Sequence, residues 1–359
     1  MKRKAVLVVS ALRGGGAEKF VLNLYKALEK YENFECHIIA IEKAVEHDIE
    51  GLRVHFASDI CNVSKKGWRR LFYKKNVARA IDEFVIANIG DDALVLSNML
   101  LADKIMSQSE LNVYHVIHSP YSDVFLVGKS PLERKIIKNK VSRWYNNHPL
   151  VFVSDYAKKS FESAFNIKKF SHVIHNPVSI NPHDIKEDID SYGDYIVHVG
   201  RFNREKRHDR LIEIFSKVKN TKAKLLLIGD GKLKSNIEND VNERGLNDKV
   251  VFVGFKSNPY NYIKNAKGLI LTSDFEGLSM VLLEAIKLGV PVLSTDCSEA
   301  IRDVVISNKN SLVPIDDIDL FAEKIDNLLI SPDNYISEDK EIFQPEFVAK
   351  EYCNLLKNS

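Results

Sequence analysis

The alternation of short apolar runs with stretches of helical period constrains the fold of this chain more than any other feature, and it breaks once and restarts. AVLVVS at 5–10, ALVLS at 93–97, VYHVIHS at 113–119 and LVFVS at 150–154 are separated by helical stretches such as 17–31 and 155–165. Runs this short and this apolar read as strands buried on both faces. A parallel strand needs a long crossover, usually a helix, to bring the chain back. Residues 176–194, NPVSINPHDIKEDIDSYGD, interrupt the rhythm with two prolines, clustered acids and no apolar period, which is linker composition. The rhythm then resumes with YIVHVGR, KLLLIGDG, KVVFVGF, GLILTS and PVLSTD. The expected fold class is therefore α/β, with two doubly wound parallel-sheet domains facing across a cleft: residues 1–178, a linker over 179–194, and residues 195–344. In the tail FQPEFVAKEYCNLLKNS, Phe347, Tyr352, Leu355 and Leu356 recur at helical spacing, which predicts a helix over 345–359 packing back on the first domain. The length of 359 residues suits two such domains.

Composition narrows the function. Hydrophobic residues make up 45% and charged residues 28%, and no 18-residue apolar run could cross a bilayer, so the chain reads as globular. The start MKRKAVLVVSALRGGG is basic, but its apolar run of about seven residues meets glycines without a small-residue cleavage pattern, so it reads as a first strand rather than a signal peptide. Cys36, Cys61, Cys297 and Cys353 are scattered, suggesting neither a zinc site nor a disulfide framework; a reducing cytoplasm fits. The net charge of +2 argues against a nucleic-acid partner. It is unevenly spread: residues 1–180 hold 27 Lys and Arg against 19 Asp and Glu, a net +8, and the remainder carries −6.

Open parallel sheets bind ligands beyond the carboxyl ends of their strands, and the candidate motifs lie there. In LILTSDFEGLSMVLLEAIKLGVPVLSTD a strand leads to a turn and a helix over roughly Met280–Leu288, which Ser279 can cap and Gly289 with Pro291 can end. Glu284 stands in a helix whose other side chains, Lys287 apart, are apolar, and a buried carboxylate there needs a partner such as a ribose diol. The turn Glu276, Gly277, Leu278, Ser279 offers backbone N–H groups at a helix start, suited to phosphate or a sugar hydroxyl. The plainer reading has Glu276 balancing the helix dipole and Glu284 pairing with a local Lys or Arg. In HVGRFNREKRHDRLIEIF, Arg201 and Lys206 leave a strand end together and could hold a diphosphate, or could be a solvated basic loop, as Arg204 and Arg207 are expected to be. SALRGGGAEKF places three glycines, which allow positive φ and close backbone approach, before a helix start, though neither as G-x-G-x-x-G nor as a P-loop. In VYHVIHSPYSD, His118 follows the strand and could reach a sugar hydroxyl, whereas His115 lies within it and reads as core or surface. D-x-D occurs only at Asp188/Asp190 and Asp317/Asp319, away from strand ends, so no Mg²⁺ site is expected, and neither G-x-S-x-G nor H-E-x-x-H occurs.

GGGAEK at 14–19, HSP at 118–120, VSDYAKKS at 153–160, HNPV at 175–178, VGRFNREKRHDRLIEIF at 199–215, LLLIGDG at 225–231, VVFVGF at 250–255 and the seven-residue gap between Glu276 and Glu284 run in one order along almost the whole chain. Together they resemble the retaining glycosyltransferases of family 4, whose GT-B fold has two Rossmann-like domains. The resemblance implies that Arg201 and Lys206 hold the diphosphate of a nucleotide-sugar donor and that Glu284 binds its ribose. Glu276 would contact the transferred sugar, as a positioning residue, with Leu278, Ser279 and Met280 giving backbone contacts. Gly254 and Phe255 would receive the base, Gly15 and Gly16 would approach the diphosphate, and His118 would contact the sugar or orient the acceptor. Transfer with retention would have the acceptor hydroxyl attack from the face the diphosphate leaves, a phosphate oxygen taking its proton, with neither cofactor nor metal. The glycine usual after the loop lysine is here Arg207.

The basic half then has a candidate role. Residues 64–81 hold seven basic residues and no acid, with Trp68, Leu71 and Phe72 interleaved; residues 129–147 add six against one acid. As helices both could contact an anionic membrane, or be solvated faces over core aromatics. The expectation is a hexosyl- or N-acetylhexosaminyl-transferase, using a uridine diphosphate sugar, that extends a surface glycan or lipid-linked acceptor of lipopolysaccharide, O-antigen or capsule type. It would work in the cytoplasm at the inner face of the membrane. A soluble glucan or small-glycoside synthase of the same fold, and a non-catalytic sugar-nucleotide-binding module, are the alternatives. A dinucleotide-dependent oxidoreductase would show the missing G-x-G-x-x-G.

Overall fold

The computed structural model describes residues 2–61, 72–165, 167, 170–181, 185, 192–220, 222–305 and 308–357. Residues 64–71 of the first basic stretch, Trp68 and Leu71 among them, and residues 182–184 and 186–191 of the expected linker lie outside the described residues. The chain divides into two compact units, residues 1–177 with 341–359, and residues 178–340.

The first unit runs β1 (Arg3–Val9), α1 (Gly16–Tyr31), β2 (Phe34–Ala40), β3 (Val54–Phe56), α2 (Ala57–Ile60), α3 (Tyr73–Asn88), β4 (Leu94–Asn98), α4 (Leu100–Met106), β5 (Val113–Ile117), α5 (Tyr121–Leu126), α6 (Pro131–Tyr145), β6 (Leu150–Phe152), α7 (Asp155–Ala164) and β7 (Ser171–Val173). Among the described residues its sheet has the order β3-β2-β1-β4-β5-β6-β7, every pair parallel. β1 is central because Ala5 to Val9 are all buried and pair on both sides, Ala5 facing Cys36 of β2 and Leu94 of β4. Beneath β4 and β5 lies a buried polar chain. Ser97 Oγ donates to Asp103 Oδ1 (2.5 Å) and accepts from His115 Nδ1 (2.6 Å), while Tyr145 donates to Asp103 Oδ2 (2.7 Å). Asp103 is thus held from both oxygens, the condition under which a buried carboxylate is tolerated. His115 is core, not site.

The second unit runs β8 (Tyr195–Val199), α8 (His208–Ser216), β9 (Lys224–Ile228), α9 (Lys234–Glu243), β10 (Val250–Gly254), α10 (Tyr260–Lys264), β11 (Gly268–Leu271), α11 (Met280–Lys287), β12 (Val292–Thr295), α12 (Glu299–Val304), β13 (Leu312–Val313) and α13 (Ile318–Ile330). Its parallel sheet has the order β10-β9-β8-β11-β12-β13. Ile196, Leu225, Leu227, Ile270, Leu293 and Phe321 center one core between sheet and helices. α11 ends in a Schellman turn. Gly289 takes φ +70°, Val290 N–H reaches Ala285 O and Gly289 N–H reaches Ile286 O, each at 2.9 Å. The last helix, α14 (Pro345–Leu355), packs in the first unit, with Tyr352 and Leu355 buried and Tyr114 Oη donating to Leu355 O at 3.3 Å. Phe347, expected on the same apolar stripe, is exposed. Among the described residues no helix is long and apolar enough to cross a membrane.

Two histidines sit under the start of α8. His198 Nδ1 donates to Ile270 O (2.8 Å), and His208 stacks on Phe202 with ring centroids 4.0 Å apart. Among the described residues neither ring nitrogen of His208 has a hydrogen-bond partner. Burial, reinforced by neighboring positive charge, pushes His198 down to about 4 and His208 to about 2, so both are neutral in the fold. The unfolded chain takes up these protons below about pH 6.5. The stability tied to each neutral ring is therefore complete above pH 6.5 and is lost as pH falls from there toward the folded values. At pH 5 the loss is about 2 kcal/mol per histidine relative to pH 8. His208→Phe removes one of the two, so urea titrations should find it about 2 kcal/mol more favorable, relative to the parent, at pH 5 than at pH 8. Equal differences at both pH values would refute the buried neutral ring.

Candidate active site

In the second sheet, strands added after β8 go one way and β11 starts the other way, so β8 and β11 are neighbors whose following loops part. This reversal is where open α/β sheets hold ligands. The loop after β8 carries Arg201 and Lys206, and the loop after β11 carries Glu276. The structure brings the last two together: Lys206 Nζ lies 2.6 Å from Glu276 Oε1, with 20% and 11% of the side chains exposed. Ser273 Oγ donates to the same oxygen at 2.7 Å. Arg201 is exposed, and its guanidinium makes no hydrogen bond or ion pair with described residues.

The loop after β8 is fixed from below. At Gly229 (φ +146°) an added Cβ would lie 2.0 Å from Gly200 O, and at Gly231 (φ +156°) 2.5 Å from Phe202 O, so both positions require glycine. Phe202 N–H donates to Asp230 O (2.9 Å), and Gly229 N–H to Gly254 O (3.0 Å). This links Gly200 and Arg201 to Gly254, which closes β10 at φ +79°, and to the half-exposed Phe255 beyond it.

Leu278, Ser279 and Met280 are buried at the start of α11, and Glu284, 2% exposed, lies one turn in. Ser279 holds the N-cap position, but its hydroxyl does not cap. Its carbonyl accepts the first helix bond from Leu283 N–H (3.2 Å), and Oγ, buried, has no partner among the described residues. The expected side-chain cap is corrected to a buried hydroxyl with unused hydrogen-bonding capacity at the start of α11.

Arg207 is not solvated surface. It takes the left-handed conformation (φ 51°, ψ 51°), which costs a non-glycine residue roughly 1–2 kcal/mol, and its guanidinium bonds Asp209 and Asp274 at 3.0 Å each. A glycine usual at this position suits the same turn. Arg204 is exposed, as expected. Sequence reasoning missed Thr272, Ser273, Asp274 and the buried Arg210. Arg210 carried a signal: an arginine beside the apolar run Leu211, Ile212, Ile214 and Phe215 of α8 needs an acid nearby.

Gly15, Gly16 and His118 lie in the first unit, after β1 and β5. None of Gly14 to Gly16 has positive φ, contrary to the expected use of that turn. A Cβ on Gly15 would come 2.3 Å from Glu18 Oε2, the movable end of a side chain. Gly14 N–H is already taken by Glu46 Oε2 (2.9 Å). His118 Nε2 lies 3.0 Å from Asn98 Oδ1, at the end of β4. Asn98 Nδ2 faces Val8 O and Leu96 O, so Oδ1 accepts and His118 carries its proton on Nε2. Burial pushes this ring down to about 3, leaving Nδ1 as a neutral acceptor.

Residues 14–181 match the family model described as Glycosyltransferase Family 4, and residues 180–341 match Glycosyl transferases group 1. The chain is 26% identical over 333 residues (86% of this chain, 88% of the relative) to the N-acetylgalactosamine-N,N'-diacetylbacillosaminyl-diphospho-undecaprenol 4-alpha-N-acetylgalactosaminyltransferase of Campylobacter jejuni subsp. jejuni serotype O:2. It is 26% identical over 313 residues, 82% of each chain, to the capsular polysaccharide biosynthesis glycosyltransferase CapH of Staphylococcus aureus. HepE of Anabaena, solved in complex with UDP-glucose, superposes with a TM-score of 0.77 at 14% identity, covering 99% of this chain and 100% of that one, a likeness of fold. With two parallel-sheet α/β domains and family matches running in sequence from residue 14 to 341, the chain belongs to glycosyltransferase family 4 and has the GT-B fold.

Proposed function

We propose that this glycosyltransferase moves a sugar, with retention, from a uridine diphosphate sugar to a hydroxyl of a lipid-linked or surface-glycan acceptor. The observation that carries the donor half is the Lys206–Glu276 pair at the strand-order reversal, with exposed Arg201 on the same loop. Arg201 and Lys206 supply the positive charge a departing diphosphate needs, and charge aimed at a developing anion is a large term in catalysis. An incoming diphosphate competes with Glu276 for Lys206, which frees the carboxylate to accept from sugar hydroxyls. The buried Ser279 hydroxyl and the first N–H groups of α11 suit the same anionic and hydroxyl-rich ligand. Glu284 is assigned to the ribose, Gly254 and Phe255 to the base, Gly15 and Gly16 to the diphosphate, and His118 Nδ1 to a sugar or acceptor hydroxyl. The donor's phosphate oxygen takes the acceptor proton, and no metal is assigned a role.

The acceptor half rests on α6 and on the relatives, one named for a diphospho-undecaprenol acceptor and one for capsular polysaccharide. α6 opens with a capping box between Ser130 and Glu133, so its first turn is well formed, yet only Val141 and Tyr145 are buried. Leu132 (69% exposed) and Ile136 (46%) stand among Lys129, Arg134, Lys135, Lys138, Lys140 and Arg143, and Val127 (69%) precedes them. Exposed aliphatic residues ringed by lysines suit the headgroup region of an anionic bilayer, at the inner face of the cytoplasmic membrane.

Turnover of UDP-glucose, UDP-galactose, UDP-N-acetylglucosamine and UDP-N-acetylgalactosamine with polyprenyl-diphosphate-linked and lipopolysaccharide acceptors tests the reaction. Lys206→Ala and Glu284→Ala should each lower transfer by roughly 10²-fold or more with little change in unfolding temperature; near-normal turnover in both would overturn the donor site. Sedimentation at low salt should show binding to vesicles containing phosphatidylglycerol and not to phosphatidylcholine alone, weakened at least fivefold (about 1 kcal/mol) by Leu132→Ser with Lys135→Glu. No binding to either vesicle would favor the soluble glucan or small-glycoside synthase.

A further inference from the structure

We infer that Arg207, acting through Asp274, is a positioning residue for the transfer reaction. The inference rests on the reading that Lys206 and Glu276 serve the donor. Arg207 follows Lys206 directly, and Asp274 precedes Glu276 by two residues, so a tie between Arg207 and Asp274 sets the distance between the two loops that carry the pair.

The tie is built on several sides. Arg207 Nη1 reaches Asp274 Oδ1 (3.0 Å) and Oδ2 (3.3 Å), while its Nε and Nη2 grip Asp209, the second residue of α8. Arg210, 5% exposed, holds Asp274 Oδ1 at 2.7 Å through Nη2 and Thr272 O at 2.9 Å through Nη1. Asp274 N–H donates to Glu205 O (2.9 Å). The buried Thr272 hydroxyl lies 3.2 Å from Lys206 O and 3.3 Å from Arg207 O and donates to one at a time. The segments 205–207 and 272–276 are therefore clasped by backbone and by side chain around one ion pair.

Glycine would adopt the left-handed turn at residue 207 without strain but would bring no guanidinium to Asp274. An arginine there accepts an unfavorable backbone conformation, and strain of this kind persists where the surroundings over-determine it. Lysine is a poor substitute, because an ammonium is a single point charge without the planar fork that sets Nε and Nη2 on Asp209 and Nη1 on Asp274. Small misplacement of a group whose contact with the leaving diphosphate strengthens as charge develops lowers kcat more than it changes donor KM.

Steady-state turnover of the four UDP sugars named above, with Arg207→Gly, Arg207→Lys, Asp274→Asn and the double variant Arg207→Gly/Asp274→Asn, tests this. The expected result is a loss in kcat of about tenfold in Arg207→Gly and in Arg207→Lys, with donor KM within about threefold. The unfolding temperature of the glycine variant should equal or exceed the parent's, because backbone strain is relieved. The double variant should lose no more than the worse single one, because both remove the same tie. Parent-like kcat in Arg207→Gly, losses that multiply in the double variant, or losses that follow unfolding temperature would each overturn the inference. Lys206→Ala separates the two levels: if it is inactive while Arg207→Gly is parent-like, only the positioning role fails. If Lys206→Ala is itself parent-like, the donor reading fails and the positioning role with it.

Discussion

β8 and β11 are hydrogen-bonded neighbors, Ile196 beside Gly268, although residues 200–267 and three helical crossovers, through α8, α9 and α10, separate them in the chain. That adjacency is the constraint from which the site follows. Two parallel strands end at the same edge of the sheet, and their loops must diverge because each goes to a helix on its own side. Lys206 and Glu276 come from those two loops. A partly buried ion pair with few alternatives in water holds them at hydrogen-bond distance. The pair is worth little as a stability device, but it keeps a cation and an anion ready, each able to exchange its partner for one on a ligand.

The remaining parts of the second unit serve to keep those loops in place. Gly229 and Gly231 let the turn after β9 press against the backbone of Gly200 and Phe202, and Phe202 fills the core below while stacking on His208. Burying a side chain of that size contributes about 2–3 kcal/mol, enough to make the loop an outgrowth of the core rather than a free segment. In the first unit an equivalent reversal lies between β1 and β4, and Asn98 at the end of β4 fixes the tautomer of His118 next door.

The α/β class, the helix–strand rhythm and the location of motifs after strands were legible because they depend on local periodicity and on a rule of parallel sheets. The burial of Glu284 was legible too, since the residues around it on α11 are apolar. What escaped depends on pairings between distant segments. Asp209, two residues on, gives Arg207 a local partner, but the contact that makes it a clasp between loops is with Asp274, 67 residues on, while Arg204 stays in solvent. Ser279 was legible as a helix boundary but not as an uncapped hydroxyl, because capping depends on a side-chain torsion rather than on residue type. The glycines at 14–16 were read for positive φ, whereas what an added Cβ on Gly15 meets is the carboxylate end of Glu18, three residues on.

The contact between Gly229 and the carbonyl of Gly200 also bears on how such a site can diversify. Because the turn after β9 leaves no room for even a methyl group, substitutions there move the Arg201 loop rather than reshape the ligand surface, and they are closed to gradual change. Positions that make no such backbone contact, such as the exposed Phe255, are free of this restriction. The backbone frame can stay fixed through sequence drift while the rim of the site is rewritten one residue at a time.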